Sequence, residues 1–73
     1  MGATRLSTRN QLPGTVESVD TGGVMATVKV SLAGGQEVTA SITREAAEEL
    51  ALAPGRPVTV LVKSTEVMLA VDD

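Results

Sequence analysis

Apolar and polar residues alternate through most of the chain, and this period of two residues is typical of β-strands with one buried face. The clearest example is 24–33, where one face carries Val24, Ala26, Val28, Val30 and Leu32. The same alternation predicts strands at 36–42, 57–63 and 66–71. A less regular strand is predicted at 12–20, where Pro13 and Gly14 make the start irregular. The glycine pairs at 22–23 and 34–35 fit the turns between the first three strands.

One segment, 43–51, breaks this alternation and consists mostly of helix formers. Thr43 suits the N-cap, Glu45 lies near the positive end of the helix dipole, and Pro54 and Gly55 end the segment. The order of three strands, one helix and two further strands predicts an all-β fold, a five-stranded OB-like barrel with one short helix between strands three and four. The alternative is a fragment of a β-sandwich, but a single short helix is less typical of that fold. We expect one domain over 1–73, with 1–6 as a leader and 72–73 as a tail.

The size of the chain predicts self-association. At 73 residues, folding hides only about 60% of the surface that the unfolded chain exposes. Domains this small usually add disulfides, a structural metal or oligomerisation, and the sequence has neither cysteine nor histidine. Oligomerisation is therefore the expected source of further burial.

Missing residue types also exclude several functions. Without cysteine or histidine there is no thiolate nucleophile, no imidazole base and no usual zinc site, so neither an enzyme nor a resident metal or cofactor is predicted. The absence of aromatic residues and the net charge of −3 argue against nucleic acid as a partner. There is no signal-peptide core and no apolar run of roughly 20 residues, so we expect a soluble cytoplasmic protein without a membrane partner.

Two polar segments could hold an anion. Residues 7–11 offer hydroxyls, a guanidinium and two amides, and residues 63–65 offer an ammonium and two hydroxyls in a bend. Thr43, at the start of the predicted helix, is a third candidate. Hydroxyls, N–H groups and one or two cations are what a tetrahedral oxyanion needs, and Arg9 and Lys63 would form the strongest hydrogen bonds. The alternative is that these segments are a solvated leader and an ordinary bend.

Three motifs resemble one known family. Residues 7–14 read S-T-R-N-Q-L-P-G, 38–43 read V-T-A-S-I-T, and 60–70 read V-L-V-K-S-T-E-V-M-L-A. In this order and spacing they resemble the opening, third strand and closing segment of the Mop-type domains, which are the molbindins and related TOBE domains. The resemblance extends from residue 7 to about residue 71.

The resemblance implies a bacterial protein of OB-like subunits, assembled as a hexamer that is a trimer of dimers. Such proteins bind molybdate or tungstate at subunit interfaces and serve its intracellular storage or homeostasis. The implied ligand residues are Ser7, Arg9, Asn10, Thr43, Lys63 and Ser64. The opening and lysine segments are expected to come from different subunits. Relatives often carry a serine three residues after the position of Thr43, where this chain has Ala46.

A second function stays open at this point. TOBE domains also occur attached to transporter ATPases and transcriptional regulators, so the chain could be a regulatory or interaction module of a molybdate transport or regulatory system. Titration with oxyanions separates the two, because a storage protein must itself bind the anion.

Overall fold

Four antiparallel strands and one short helix make up most of the computed structural model, which describes residues 5–72. The strands lie in one sheet in the order β3-β2-β1-β4, so β3 and β4 each keep one edge without a partner strand among the described residues. A single 3-10 turn follows β4. The elements are β1 Asn10–Thr21, β2 Met25–Leu32, β3 Glu37–Thr43, α1 Arg44–Glu49, β4 Pro57–Val62 and the 3-10 turn Ser64–Glu66.

The long strand β1 organises the sheet because it pairs with two neighbours. Its first residues, from Asn10 to Thr15, pair with β4, and Gly14 to Thr21 pair with β2. The register of β1 and β2 shifts between Val16 and Ser18, and such a bulge bends a strand and increases its twist. The sheet is therefore curled into a half-barrel with one concave apolar side.

The core lies on that concave side and is built from valines. Val16 on β1 is buried together with Val28 and Val30 on β2, and the alternation in the second strand predicts the burial of the latter two. Val24 was expected on the same face but is 75% exposed, because it precedes β2 instead of pairing within it. Around the three buried valines pack half-buried residues, namely Val19, Leu32, Ala40, Ile42, Leu52, Val58 and Val60.

Gly14 is required where β1 crosses β2. A Cβ atom at this position would lie 2.7 Å from the Val30 side chain and 2.8 Å from the carbonyl oxygen of Ser31. Since a backbone oxygen cannot rotate away as a side chain can, any larger residue would force the strands apart. The expected irregular start is not seen: β1 begins at Asn10, Pro13 and Gly14 keep a continuous register with β4, and the register shift lies further along, between Val16 and Ser18.

The helix begins as predicted but ends earlier. Thr43 is the N-cap, and its Oγ1 accepts a hydrogen bond from the N–H of Ala46 at 3.1 Å. We expected the segment to continue to residue 51, but α1 ends at Glu49 because Ala51 adopts a positive φ of 52°. The N–H of Leu52 donates to the carbonyl oxygen of Ala47 at 3.1 Å, which completes a Schellman-type end.

The predicted fifth strand is wrong for this structure. Within residues 5–72 there are four strands, and residues 67–72, which follow the 3-10 turn, have no regular secondary structure. A strand needs backbone hydrogen bonds to a neighbour, and no described part of the chain supplies one to this segment. The mostly-β class with one helix is confirmed, but the closed five-stranded barrel is replaced by a four-stranded half-barrel.

Candidate oxyanion-binding site

The pairing of β1 with β4 brings the two polar segments together. Asn10 is the register partner of Val62, so the residues before β1 and those after β4 leave the sheet side by side. The Asn10 side-chain amide donates to the carbonyl oxygen of Val62 at 3.0 Å and fixes this junction. Here lies a cavity of about 360 Å³, lined by Ser7, Thr8, Arg9, Lys63, Ser64 and Thr65.

The lining of this cavity is cationic and rich in hydroxyl groups. It combines one guanidinium, one ammonium and the hydroxyls of two serines and two threonines, and none of the six residues is acidic. Within residues 5–72 the one ion pair joins Arg44 to Glu48, so no described carboxylate neutralises Arg9 or Lys63. Both cations can therefore donate to an anion without first breaking an ion pair.

Backbone groups add further donors at the same place. The N–H of Glu66 donates to the carbonyl oxygen of Lys63 at 2.9 Å and closes the 3-10 turn. With the described residues, the N–H groups of Ser64 and Thr65 form no backbone hydrogen bond. Successive free N–H groups in a turn form a concavity that attracts anions. The cavity thus offers charged, hydroxyl and backbone donors from two segments.

The structure divides the six predicted ligand residues into those that line the cavity, Asn10 beside it, and Thr43, which lies elsewhere. Ser7, Arg9, Lys63 and Ser64 line the cavity as a set. Asn10 lies beside it, and its amide is engaged with the strand β4, so its side chain acts as a positioning group. Thr8 and Thr65, which are not among the predicted ligands, also line the cavity, and the signal for both is their place within the two polar segments.

Thr43 belongs to a different cavity. This second cavity of about 520 Å³ is lined by Gly23, Val24, Thr43, Arg44, Glu45 and Glu48. The Thr43 hydroxyl already accepts the helix-capping hydrogen bond, and the Arg44 Nε lies 3.3 Å from the Glu48 carboxylate. Two carboxylates and a neutralised guanidinium make this place unfavourable for a dianion.

The two cavities lie at opposite ends of β1. Lys63 comes directly after Val62, which pairs with Asn10, the first residue of β1. Thr43 comes directly after Ile42, which pairs with Ala26 on β2. Ala26 in turn pairs with Thr21, the last residue of β1. Along the bent course of β1, its twelve residues cover a contour of roughly 36 Å at about 3.3 Å per residue. One chain therefore cannot bring Thr43 to the Lys63 cavity.

The opening segment and the lysine segment, which were expected to come from different subunits, line one cavity within a single chain. The physical reason is the register of β1 and β4, which the two segments extend.

A curled, mostly-β domain with a cationic, hydroxyl-lined cavity defines a class, that of small proteins built to hold a tetrahedral oxyanion. Residues 6–69 match the TOBE domain. This chain belongs to the TOBE domain family.

Some relatives consist of little more than the matching region. It is 42% identical over 64 residues to molybdenum-pterin-binding protein 2 of Clostridium pasteurianum, a match that covers 88% of this chain and 94% of that protein. It also spans a quarter of the length of the molybdenum transport protein ModE of Herbaspirillum seropedicae, at 41% identity and with 93% of this chain covered. The domain thus occurs both alone and within longer proteins.

Solved structures share the fold. A molybdate binding protein from Sporomusa ovata superposes with a TM-score of 0.86 at 39% identity, over 92% of this chain and 98% of that one. The cytoplasmic molybdate-binding protein ModG, in a form with molybdate bound, gives a TM-score of 0.80 at 46% identity, over 84% of this chain and 43% of that one. As for membranes, none of the helices in residues 5–72 has the length and apolar character to cross one.

Proposed function

We propose that this chain is a molybdate-binding protein that serves the storage or homeostasis of the anion, with tungstate as a second ligand. The observation that carries the proposal is the meeting of Arg9 and Lys63 with four hydroxyl groups in one cavity without a carboxylate. The molybdate-binding proteins of similar fold support it. Molybdate is the ligand itself, and the proposed function requires no cofactor and no catalysis.

Binding follows from the donors in the cavity. A tetrahedral dianion accepts many hydrogen bonds, and those from Arg9 and Lys63 are charge-assisted and roughly twice as strong as neutral ones. Ser7 and Ser64 add hydroxyl donors from the two facing segments, and the N–H groups at the 3-10 turn add backbone donors. Asn10 holds the two segments at a fixed separation through its bond to Val62.

We further propose that the working form is a cytoplasmic oligomer, a hexamer built as a trimer of dimers, with anion sites at subunit interfaces. The small valine core supports association, as does the number of large apolar side chains left exposed, among them Leu50, Leu61 and Val71. In such an assembly the Thr43 of a neighbouring subunit could reach a site that it cannot reach within its own chain. ModG, which is described as cytoplasmic, supports the location.

One observation favours the second candidate, a regulatory module of a transport system. The chain matches one quarter of the ModE transport protein at 41% identity. That match places a domain of this type inside a longer protein, where anion binding could control another domain. A storage protein must itself bind the anion, whereas an interaction module can act without binding it, so anion titration separates the two functions.

Calorimetric titration with molybdate, tungstate, sulfate and phosphate at constant ionic strength tests the proposal. We expect molybdate and tungstate to bind well, and sulfate and phosphate to bind at least tenfold more weakly. The stoichiometry per subunit reports whether sites are shared between subunits. Equal binding of all four anions would reduce the site to a nonspecific cationic patch, and no binding at all would favour the interaction module.

A further inference from the structure

The two walls of the anion cavity are held in different ways, and both lie outside the strands. The wall formed by residues 63–65 has its own 3-10 turn, which the N–H of Glu66 closes on the Lys63 carbonyl oxygen at 2.9 Å. The wall formed by residues 7–9 has no such turn, and within the described chain no backbone hydrogen bond outside the strand ladders reaches it. Its position therefore depends on the start of β1 and on side-chain hydrogen bonds.

Gln11 supplies a hydrogen bond to this wall. Its side-chain Nε2 donates to the carbonyl oxygen of Thr8 at 2.7 Å, at the short end of the range for such bonds. Gln11 is itself fixed, because it lies within β1 and pairs with Leu61 on β4. A side chain on a paired strand thus reaches back three residues and holds the segment before the strand. Since a carbonyl oxygen only accepts, this bond requires the N–H side of the glutamine amide.

Arg9 lies between two fixed points. On one side, the Asn10 amide donates to the Val62 carbonyl oxygen at 3.0 Å. On the other side, the bond from Gln11 holds the oxygen of the peptide group that joins Thr8 to Arg9. Because that group is planar, holding its oxygen restricts the direction in which the backbone enters Arg9. Two neighbouring amides therefore determine where the residue that carries the guanidinium begins.

Gln11 does not line the cavity. The lining consists of six residues from the two polar segments, and Gln11 is not one of them. Its side chain is exposed and neutral, so its effect on an anion does not come from contact or from charge. What it can supply is preorganisation, because donors that are ordered before the anion arrives lose less conformational freedom on binding.

We propose that Gln11 is a positioning residue of the anion cavity, which holds the segment with Ser7 and Arg9 in the arrangement that binds the anion. This proposal rests on the proposed oxyanion function and adds a residue that does not touch the ligand. The role belongs to the Nε2–H donor and acts through Arg9. The opposite wall, which carries Lys63, does not depend on it.

The test removes the same amide at two places in the chain. Gln11→Met keeps the length and neutrality of the side chain but cannot donate to the Thr8 oxygen. Gln36→Met is the matched control, since Gln36 is the other glutamine, lies just before β3 and does not line the cavity. In calorimetric titration with molybdate at constant ionic strength, Gln11→Met should bind roughly threefold to tenfold more weakly than the parent. Gln36→Met should bind within about twofold of the parent.

A double-mutant cycle identifies the residue through which Gln11 acts. If the bond serves to place Arg9, Gln11→Met should lower the affinity by less than about twofold in the background of Arg9→Ala. In the background of Lys63→Gln it should keep its full effect. An equal loss of affinity in all three backgrounds would overturn the proposal.

A measurement without ligand keeps this proposal separate from the proposed function. Order parameters of the backbone amides at 7–9, from NMR relaxation, should fall in Gln11→Met and keep the parental values in Gln36→Met. Unchanged order in Gln11→Met, or parental molybdate affinity in that variant, would overturn the positioning role. A parent that binds no molybdate would instead refute the proposed function, whereas a loss of order in Gln11→Met would still show that Gln11 holds the segment.

Discussion

Lys63→Gln should weaken molybdate binding without destabilising the subunit. Lys63 is exposed directly after β4, and within residues 5–72 it forms no ion pair, so its removal leaves no described charge unpaired. The stability change should therefore stay within about 0.5 kcal/mol. Loss of one charge-assisted hydrogen bond to the anion costs on the order of 1.5–3 kcal/mol, about tenfold to a hundredfold in affinity.

The assay combines calorimetric titration with thermal unfolding at fixed ionic strength. At free molybdate of about 100 times the parental dissociation constant, one site stabilises the parent by about 2.7 kcal/mol. A tenfold weaker variant at the same concentration gains only about 1.4 kcal/mol. The matched control is Lys29→Gln, which removes the same charge from β2, where Lys29 pairs with Thr39 away from the cavity.

The comparison of the two lysine variants separates a local hydrogen bond from net charge. We expect Lys29→Gln to bind molybdate nearly as tightly as the parent. Parental affinity in Lys63→Gln, or an equal loss in both variants, would refute the assignment of Lys63 to the site. An affinity loss accompanied by lower stability without ligand would instead indicate a structural role.

Substitutions at three other positions test the structure away from the proposed site. Thr43→Val removes the hydroxyl that accepts from the Ala46 N–H and should lower the free energy of unfolding by about 1 kcal/mol, whereas Thr43→Ser should retain most of it. Ala51→Gly should raise that free energy by about 0.5–1 kcal/mol, because φ at Ala51 is 52° and glycine adopts this conformation without steric cost. A hydrogen bond that protonated Glu17 donates to Glu37, together with the negative charge of Glu37, raises the pKa of Glu17, so the folded state holds a proton more tightly than the unfolded state does. The resulting stability is present at low pH and lost as the pH rises through the raised pKa, so Glu17→Gln should melt higher than the parent at about pH 7 and equally at about pH 3.

Urea and thermal unfolding measure these three effects. Equal stability of Thr43→Val and Thr43→Ser would contradict the cap, and a less stable Ala51→Gly would contradict the helix end described above. A Glu17→Gln variant whose melting temperature differs from that of the parent by the same amount at both pH values would contradict carboxyl repulsion. Lys29, which lowers the pKa of Glu17, opposes the effect of Glu37, so the expected difference is small.

Much of the fold could be predicted from local pattern. Alternation identified β2 and the buried residues Val28 and Val30, and residue type identified Thr43 as the helix cap. These features depend on neighbours within a few residues, which the sequence displays directly. The end of α1 was placed too late, because Ala51 adopts a positive φ that alanine rarely takes and that residue type does not indicate.

The long-range features could not be predicted in the same way. The alternation at 66–71 identifies a segment that is able to form a strand, but it does not identify the strand with which this segment would pair. Within the described chain no strand pairs with it. The meeting of the opening and lysine segments depends on the register of Asn10 with Val62, residues 52 positions apart. Residue types predicted which groups could donate hydrogen bonds to an anion. Only the pairing of the strands shows that Thr43 lies at the end of β1 opposite to Lys63.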